Sequence, residues 1–523
     1  MERITVRRWG GRALAAVAVV VPILTTHSAA ATFANGVPTA GPEALTAATL
    51  VTPAGLALAN GGCSGGNAQT NVTASWTASA VLDANGNSLV NGYNILRSTS
   101  SNGVYTSAGS VNGSPPPSTF TDTAPSGATT PQVFVGNNTT TVHAINSSTN
   151  AGTSITTGTV GVEPNALAVT PDGATVVVGE DSMVQVEIIT VATDTVARTV
   201  ALPKKSQPVG VAITPDGSTA YVTDAYNWVV YPITISSGAV GSGIAIGNPG
   251  QPAAILVTPD GSKVYAANYN SHSVSVISTA TNAVVATVNI GAGSSGKPIA
   301  LAVTPNSAHV YVADQGNGQI DDITTSSNTV TATVTAGSMV DANVSGGGDP
   351  NILAITPNGS KLYEANYTAG NVKDIAIPAD TVSSTITITS GNPNALALTP
   401  NGCQVYVHDH ANNKVDVIST ASDTVTATPA VGATGDPTGM SVTPDSGHVY
   451  VANAAANTVS VISTSTNTVT STLTSATVGT TPYAVLATPS TYYYKLQAQH
   501  GGWQSGISAS VSYLLGWDQG GWQ

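Results

Sequence analysis

Groups that do acid, base or metal chemistry are scarce in this chain. Only 8% of its 523 residues are Asp, Glu, Lys or Arg, with eight His and two Cys. The densest cluster is His408-Asp409-His410. Two imidazoles about a carboxylate suggest zinc, but zinc takes four ligands, or three and a water. No motif beside the cluster completes such a set, so neither a metal nor a cofactor is expected. Asp409 also has a plainer explanation. Its place in the chain recurs as Asn137, Asp224, Asn268, Asp314, Asn366 and Asn453. A side-chain oxygen there closes a tight turn, and His408 and His410 become additions to that turn.

The recurrence belongs to a longer phrase. Pro-x5-Thr-Pro starts at Pro164, Pro208, Pro252, Pro298, Pro350, Pro393, Pro437 and Pro482. Asp-Gly or Asn-Gly usually follows, as in Asp260-Gly261, and signals a turn. Short Val/Ile/Thr/Tyr runs come next, such as Val264-Tyr-Ala-Ala-Asn268, Val274-Ser-Val-Ile277 and Val285-Ala-Thr-Val288. These are strands. Four short strands in about 40–45 residues is the period of a propeller blade. The phrase resembles the YVTN-type β-propeller repeat family, whose signature Tyr221-Val222-Thr223-Asp224 nearly spells. The resemblance spans residues 131–489.

Seven copies are complete and the eighth is divided. Val133 to Asn137 is a second strand without a first, and Tyr483 to Thr488 is a first strand without a second. Joined, they close the ring and leave no open edge. Eight blades are expected, with seven as the alternative.

The residue before each phrase proline becomes the main candidate for binding. Glu163, Gln207, Gln251, Lys297, Asp349, Asn392 and Asp436 should ring one mouth of the central channel. Thr481 is the eighth member. A polar loop position is also what solvent exposure alone favours. The strands lining the channel, such as Leu167-Ala-Val169 and Val211-Ala-Ile213, are apolar. No recurring acid or His stands there to move protons, so catalysis is not expected.

Two flanking segments complete each other. Asn71-Val-Thr-Ala-Ser-Trp76, Gly92-Tyr93-Asn-Ile95 and Ser118-Thr-Phe120 are strands of a domain that breaks off early. Tyr492-Tyr-Tyr494-Lys-Leu-Gln-Ala498 and Gly506 to Tyr513 supply the strands it lacks. With Trp76 and Tyr93 as core positions, the two parts together resemble a fibronectin type III β-sandwich. Tyr494 is the candidate corner tyrosine of that fold. The expected fold class is therefore all-β, an eight-bladed β-propeller inserted in a discontinuous sandwich. Residues 1–31 form a signal peptide and 32–48 a linker. Residues 49–130 form the first part of the sandwich, 131–489 the propeller, 490–516 the last two sandwich strands and 517–523 a Trp/Gly tail. Both junctions fall at turns between first and second strands, so the sandwich is expected on that face, away from the proline rim. Cys63 and Cys403 would lie near that boundary, where a disulfide is a candidate.

The leader reading rests on Arg3, Arg7, Arg8 and Arg12, an apolar stretch from Ala13 to Leu24, and Ala29-Ala-Ala31. The apolar stretch is too short to span a bilayer, and no later span is expected. The net charge of −13 becomes more negative once four Arg and Glu2 are removed. Such a chain repels nucleic acid phosphates. The expected function is a secreted or cell-surface binding or adhesion protein, with a protein or cell-surface polysaccharide as partner. The alternatives are an extracellular propeller enzyme (a lactonase, a lyase or an activity associated with glycoside hydrolases) or a structural surface-layer component.

Overall fold

A computed structural model describes residues 54–60, 72–77, 90, 92–98, 106–112, 117–122 and 131–515, apart from 138, 158–163, 181–183, 248–249, 292–294, 338–351, 390, 433–438, 501–502 and 505–510. The chain forms two compact units, and the smaller draws strands from both sides of the larger.

In the larger unit the described residues hold eight sheets with four antiparallel strands in sequence order, one carrying an extra short strand. The first sheet comprises Pro164–Val169, Thr175–Glu180, Gln185–Thr190 and Thr195–Ala201. The next six begin at Pro208, Pro252, Pro298, Leu353, Pro393 and Met440. The eighth takes its first strand, Pro482–Ala487, from the end of the unit. Its other three, Gln132–Asn137, Thr141–Asn146 and Gly152–Thr156, come from the beginning. Val485 pairs with Val135 across that seam. The ends are clasped where the chain enters and leaves: Gln132 N–H donates to Thr488 Oγ1 at 3.0 Å and Thr488 N–H to Gln132 O at 2.8 Å. Each first strand packs against the first strands of the sheets before and after it, and the eighth meets the first. The protein is a β-propeller.

The recurring phrase has a mechanical reason. Thr258 OH donates to Asp260 Oδ1 at 2.6 Å, while Lys263 N–H donates to Thr258 Oγ1 at 3.1 Å. The same knot forms at Thr170, Thr214, Thr304, Thr356 and Thr443. In these six sheets it ties the first strand to the second through a turn whose fourth residue is left-handed, as Gly261 at φ +71°.

Sheets are joined to their neighbours by a second repeated bond. Tyr221, Tyr265, Tyr311, Tyr363, Tyr406 and Tyr450 are buried in the second strands. Each hydroxyl donates to an Asn or Asp in the following sheet: Asn282, Asn328, Asp380, Asp423, Asn467 and Asn150. Each of those acceptors sits at a left-handed turn position between third and fourth strands. The Tyr450–Asn150 bond joins the seventh sheet to the eighth across the ends of the unit.

The smaller unit has a sheet of Ala54–Asn60, Val72–Thr77 and Thr119–Asp122. A second sheet orders Thr106–Asn112, Gly92–Ser98, Ser490–His500 and Trp503–Gln504, with Val511–Leu515 also pairing with Ser490–His500. Gly92 lies opposite Gln499 and Ser98 opposite Tyr493, so strands from the two ends of the chain pair directly. Trp76 and Tyr93, from different sheets, are buried with ring centroids 5.1 Å apart at 69°. That edge-on contact is the core of this unit. The Tyr494 side chain, the leader and the Trp/Gly tail lie outside the described residues.

Candidate functional site

The face of the larger unit that carries the starts of the first strands also carries the turns between second and third strands. Antiparallel pairing requires this, as Pro208 opposite Asp224 shows. Five of the pre-proline residues can be placed there, Thr481 among them, its N–H donating to Asn457 Oδ1 at 2.6 Å. Gln207, Lys297 and Asn392 donate their backbone N–H groups to Asp224, Asp314 and Asp409 Oδ1 at 3.0, 2.7 and 3.1 Å. Their carbonyls accept from Ala225, Gln315 and His410 N–H at 2.9–3.1 Å, and Gln251 O accepts from Tyr269 N–H at 3.1 Å. The buried Asp thus pins the backbone of the rim. It also closes its own turn, since Asp224 Oδ1 accepts from Tyr226 and Asn227 N–H at 2.9 and 3.0 Å. Gln207 and Lys297 stay exposed. Glu163, Asp349 and Asp436 lie outside the described residues.

The same bonds bring a second set of side chains to the mouth. The residue after each recurring Asp or Asn is Ala225, Tyr269, Gln315, Tyr367, His410 or Ala454, with Asn138 outside the described residues. Tyr269 OH donates to Gln315 Oε1 at 3.3 Å, and Lys297 Nζ stands 5.3 Å from the Tyr269 ring centre. Asn270 Nδ2 donates to Gln251 Oε1. The Tyr367 and His410 rings are 6.2 Å apart and tilted by 40°. An arc of aromatic and amide groups therefore crosses the third to sixth sheets. Further along the same face Tyr226 is 51% exposed and Lys205 Nζ donates to its hydroxyl at 3.2 Å, while Tyr483 is 42% exposed. Reading the sequence for pre-proline residues misses this arc. The position after the recurring Asp or Asn is the signal that finds it.

His408 is not an addition to the turn. It lies within the strand Gln404–Asp409, 1% exposed, with Nδ1 on Asn394 Oδ1 at 2.6 Å. Burial, helped by His410, pulls its pKa down to about 3, so it is neutral. Among the described residues no three His, Cys, Asp or Glu side chains converge as metal ligands.

Acids do pair beneath the rim. Gln185 Nε2 bridges Glu180 and Glu187 at 2.8 and 3.0 Å. Gln319 Nε2 lies 3.4 Å from both Asp314 and Asp321, and Lys414 Nζ 3.5 and 3.3 Å from Asp409 and Asp416. Burial raises the pKa of Glu187 to about 7 and raises those of Glu180, Asp321 and Asp416. Such pairs resemble acid–base machinery. Exposures of 0–2% instead keep them from any substrate, and they act as buried knots between second and third strands. Cys403 is disulfide-bonded. The only other cysteine of the chain, Cys63, lies outside the described residues.

The family described as lactonase, 7-bladed β-propeller, matches residues 288–393. No curated protein matches the chain. Among solved structures it is similar to the dihydro-heme d1 dehydrogenase NirN in complex with DHE, at 12% identity over 69% of this chain and 77% of that one, TM-score 0.56. It is also similar to Kuenenia stuttgartiensis hydrazine synthase, at 20% identity over 57% and 96% of the two chains, TM-score 0.44. The likeness to the dehydrogenase is one of fold.

Proposed function

We propose that this chain is an exported binding protein whose eight-bladed propeller uses its proline-rim face to hold a cell-surface polysaccharide without turning it over. The aromatic and amide arc of Tyr269, Gln315, Tyr367 and His410 carries this reading. Tyrosine rings offer apolar faces with a polar edge, and amides both donate and accept. That combination suits the alternating C–H and hydroxyl surfaces of sugars. The negative net charge and the scarcity of charged residues fit a neutral ligand better than a polyanion.

The finer architecture belongs to the same proposal. The repeats are of YVTN type, and the smaller unit is a fibronectin type III domain interrupted between residues 130 and 490. Residues 1–31 direct export, and Cys63 is the partner of Cys403. The two-sheet arrangement with its Trp76–Tyr93 core supports the domain reading. The sandwich serves as spacer or attachment.

Retention on whole cells and on insoluble polysaccharide tests the function. The wild type should be retained, and Tyr269→Ala with Tyr367→Ala should lose at least tenfold in affinity, the loss expected on removing anchor aromatics. Retention that resists both substitutions, or that needs a protease-sensitive receptor, contradicts the glycan reading. The match of residues 288–393 to a lactonase family favours an enzyme as second reading. Lactone hydrolysis by the purified chain would establish that one.

A further inference from the structure

One residue sets the fifth sheet apart. Its second strand reads Lys361-Leu-Tyr-Glu364-Ala-Asn366, and Glu364 stands where the other Tyr-bearing strands have Val222, Ala266, Val312, Val407 and Val451. Glu364 is 0% exposed, and neither of its carboxyl oxygens has a hydrogen-bond partner. Two neighbours share this condition. Asn366 Oδ1 and Asn371 Oδ1 are both buried and unpartnered. Asn366 pairs across the sheet with Asn371, and Glu364 with Lys373. Strand alternation puts Glu364, Asn366 and Asn371 on one side of the sheet, with cross-strand Cβ atoms about 5 Å apart.

The amides cannot simply be turned over. Asn366 Nδ2 donates to Ala336 O at 2.9 Å and Asn371 Nδ2 to Ala369 O at 3.2 Å, which directs each Oδ1 away from those carbonyls. Gly337 makes room for the first of these bonds, because a Cβ there would come 2.8 Å from Asn366 Nδ2. Lys373 is engaged elsewhere, its Nζ donating to Thr385 Oγ1 at 2.9 Å.

Four buried acceptors without a donor are costly, at about 1–3 kcal/mol each, and such groups require an explanation. A proton on Glu364 turns one of its oxygens into a donor for one amide oxygen and still leaves two acceptors unmet. A cation is the kind of group that carboxylate and amide oxygens on one side of a sheet can share. The set is oxygen only, one carboxylate and two amide carbonyls, which is hard-cation chemistry completed by water. We propose that Glu364, Asn366 and Asn371 bind a calcium ion within the fifth sheet. The ion would brace the base of the turn that carries Tyr367.

Calcium titration of the full chain, stripped with chelator, tests this by calorimetry and thermal unfolding. The wild type should bind one calcium per chain, with a rise in unfolding temperature, and magnesium should bind more weakly. Glu364→Gln should weaken calcium binding at least tenfold. Glu364→Val, which installs the residue of the neighbouring sheets, should fold and lose the response. No calcium-dependent heat or stabilisation in the wild type overturns the proposal. An undiminished response in Glu364→Val overturns it equally.

Discussion

At the scale of single residues, the fold rests on bonds that recur with small variations, and the variations are informative. Tyr to Asn or Asp links join successive sheets at six places. Where Val177 replaces the tyrosine, the acceptor position of the next sheet is Gly238, so donor and acceptor are lost together. The eighth sheet differs. Phe134 takes the tyrosine position, and the Asp194 carboxyl at the acceptor position is held by the side chains of Gln132 and Thr153, while its Oδ1 stays buried without a partner. Phe134→Tyr should give the open Asp194 Oδ1 a donor and stabilise the protein by about 1 kcal/mol, the net worth of one such bond. Tyr311→Phe should cost about 1–3 kcal/mol, since it leaves Asp380 Oδ1 without the Tyr311 hydroxyl that donates to it at 2.8 Å. Denaturant unfolding of the two variants against wild type measures both changes, and a destabilising Phe134→Tyr would contradict the equivalence.

At the scale of strands and turns, much was legible in the sequence. The Thr-Pro-Asp-Gly spacing marks the first turn, and the Asp or Asn that ends the second strand marks the next. The divided eighth repeat gives the seam. Asp260→Ala should remove an acceptor for Thr258 OH and for Ser262 N–H, 2.9 Å away, and lower stability by roughly 1–2 kcal/mol. The site was less legible. Rim prolines identify a backbone position, but the buried Asp224, Asp314 and Asp409 fix that backbone, and the arc is supplied by residues in other strands. His408 shows the limit most plainly. Its neighbours in sequence suggest a metal turn, whereas strand alternation turns it inward onto Asn394. Glu364 was invisible because one acid in an apolar strand has no periodic signal.

At the scale of the whole molecule, the buried acids set an unusual pH dependence. Burial raises the pKa of Glu187 to about 7 and also raises those of Glu180, Asp321, Asp322, Asp374 and Asp416. A carboxyl whose folded pKa exceeds its unfolded value binds its proton more tightly in the fold. Its contribution is complete below the unfolded value, 4.5 for Glu and 3.8 for Asp, and is lost as pH rises through the folded value. His143 and His408 act oppositely, because burial lowers their pKa values. Their contribution fades as pH falls below about 6.5, the unfolded histidine value. In metal-free buffer the unfolding temperature should therefore peak between about pH 4.5 and 6.5 and be lower at pH 9. A maximum above pH 8 would contradict these assignments.

Hydrogen exchange of the intact protein with and without a soluble fragment of the bound polysaccharide tests the central claim most directly. Binding on the proline-rim face predicts protection confined to the turns around Tyr269, Gln315, Tyr367 and His410. Protection confined to the Thr-Pro-Asp-Gly turns at the opposite end of the strands would contradict it.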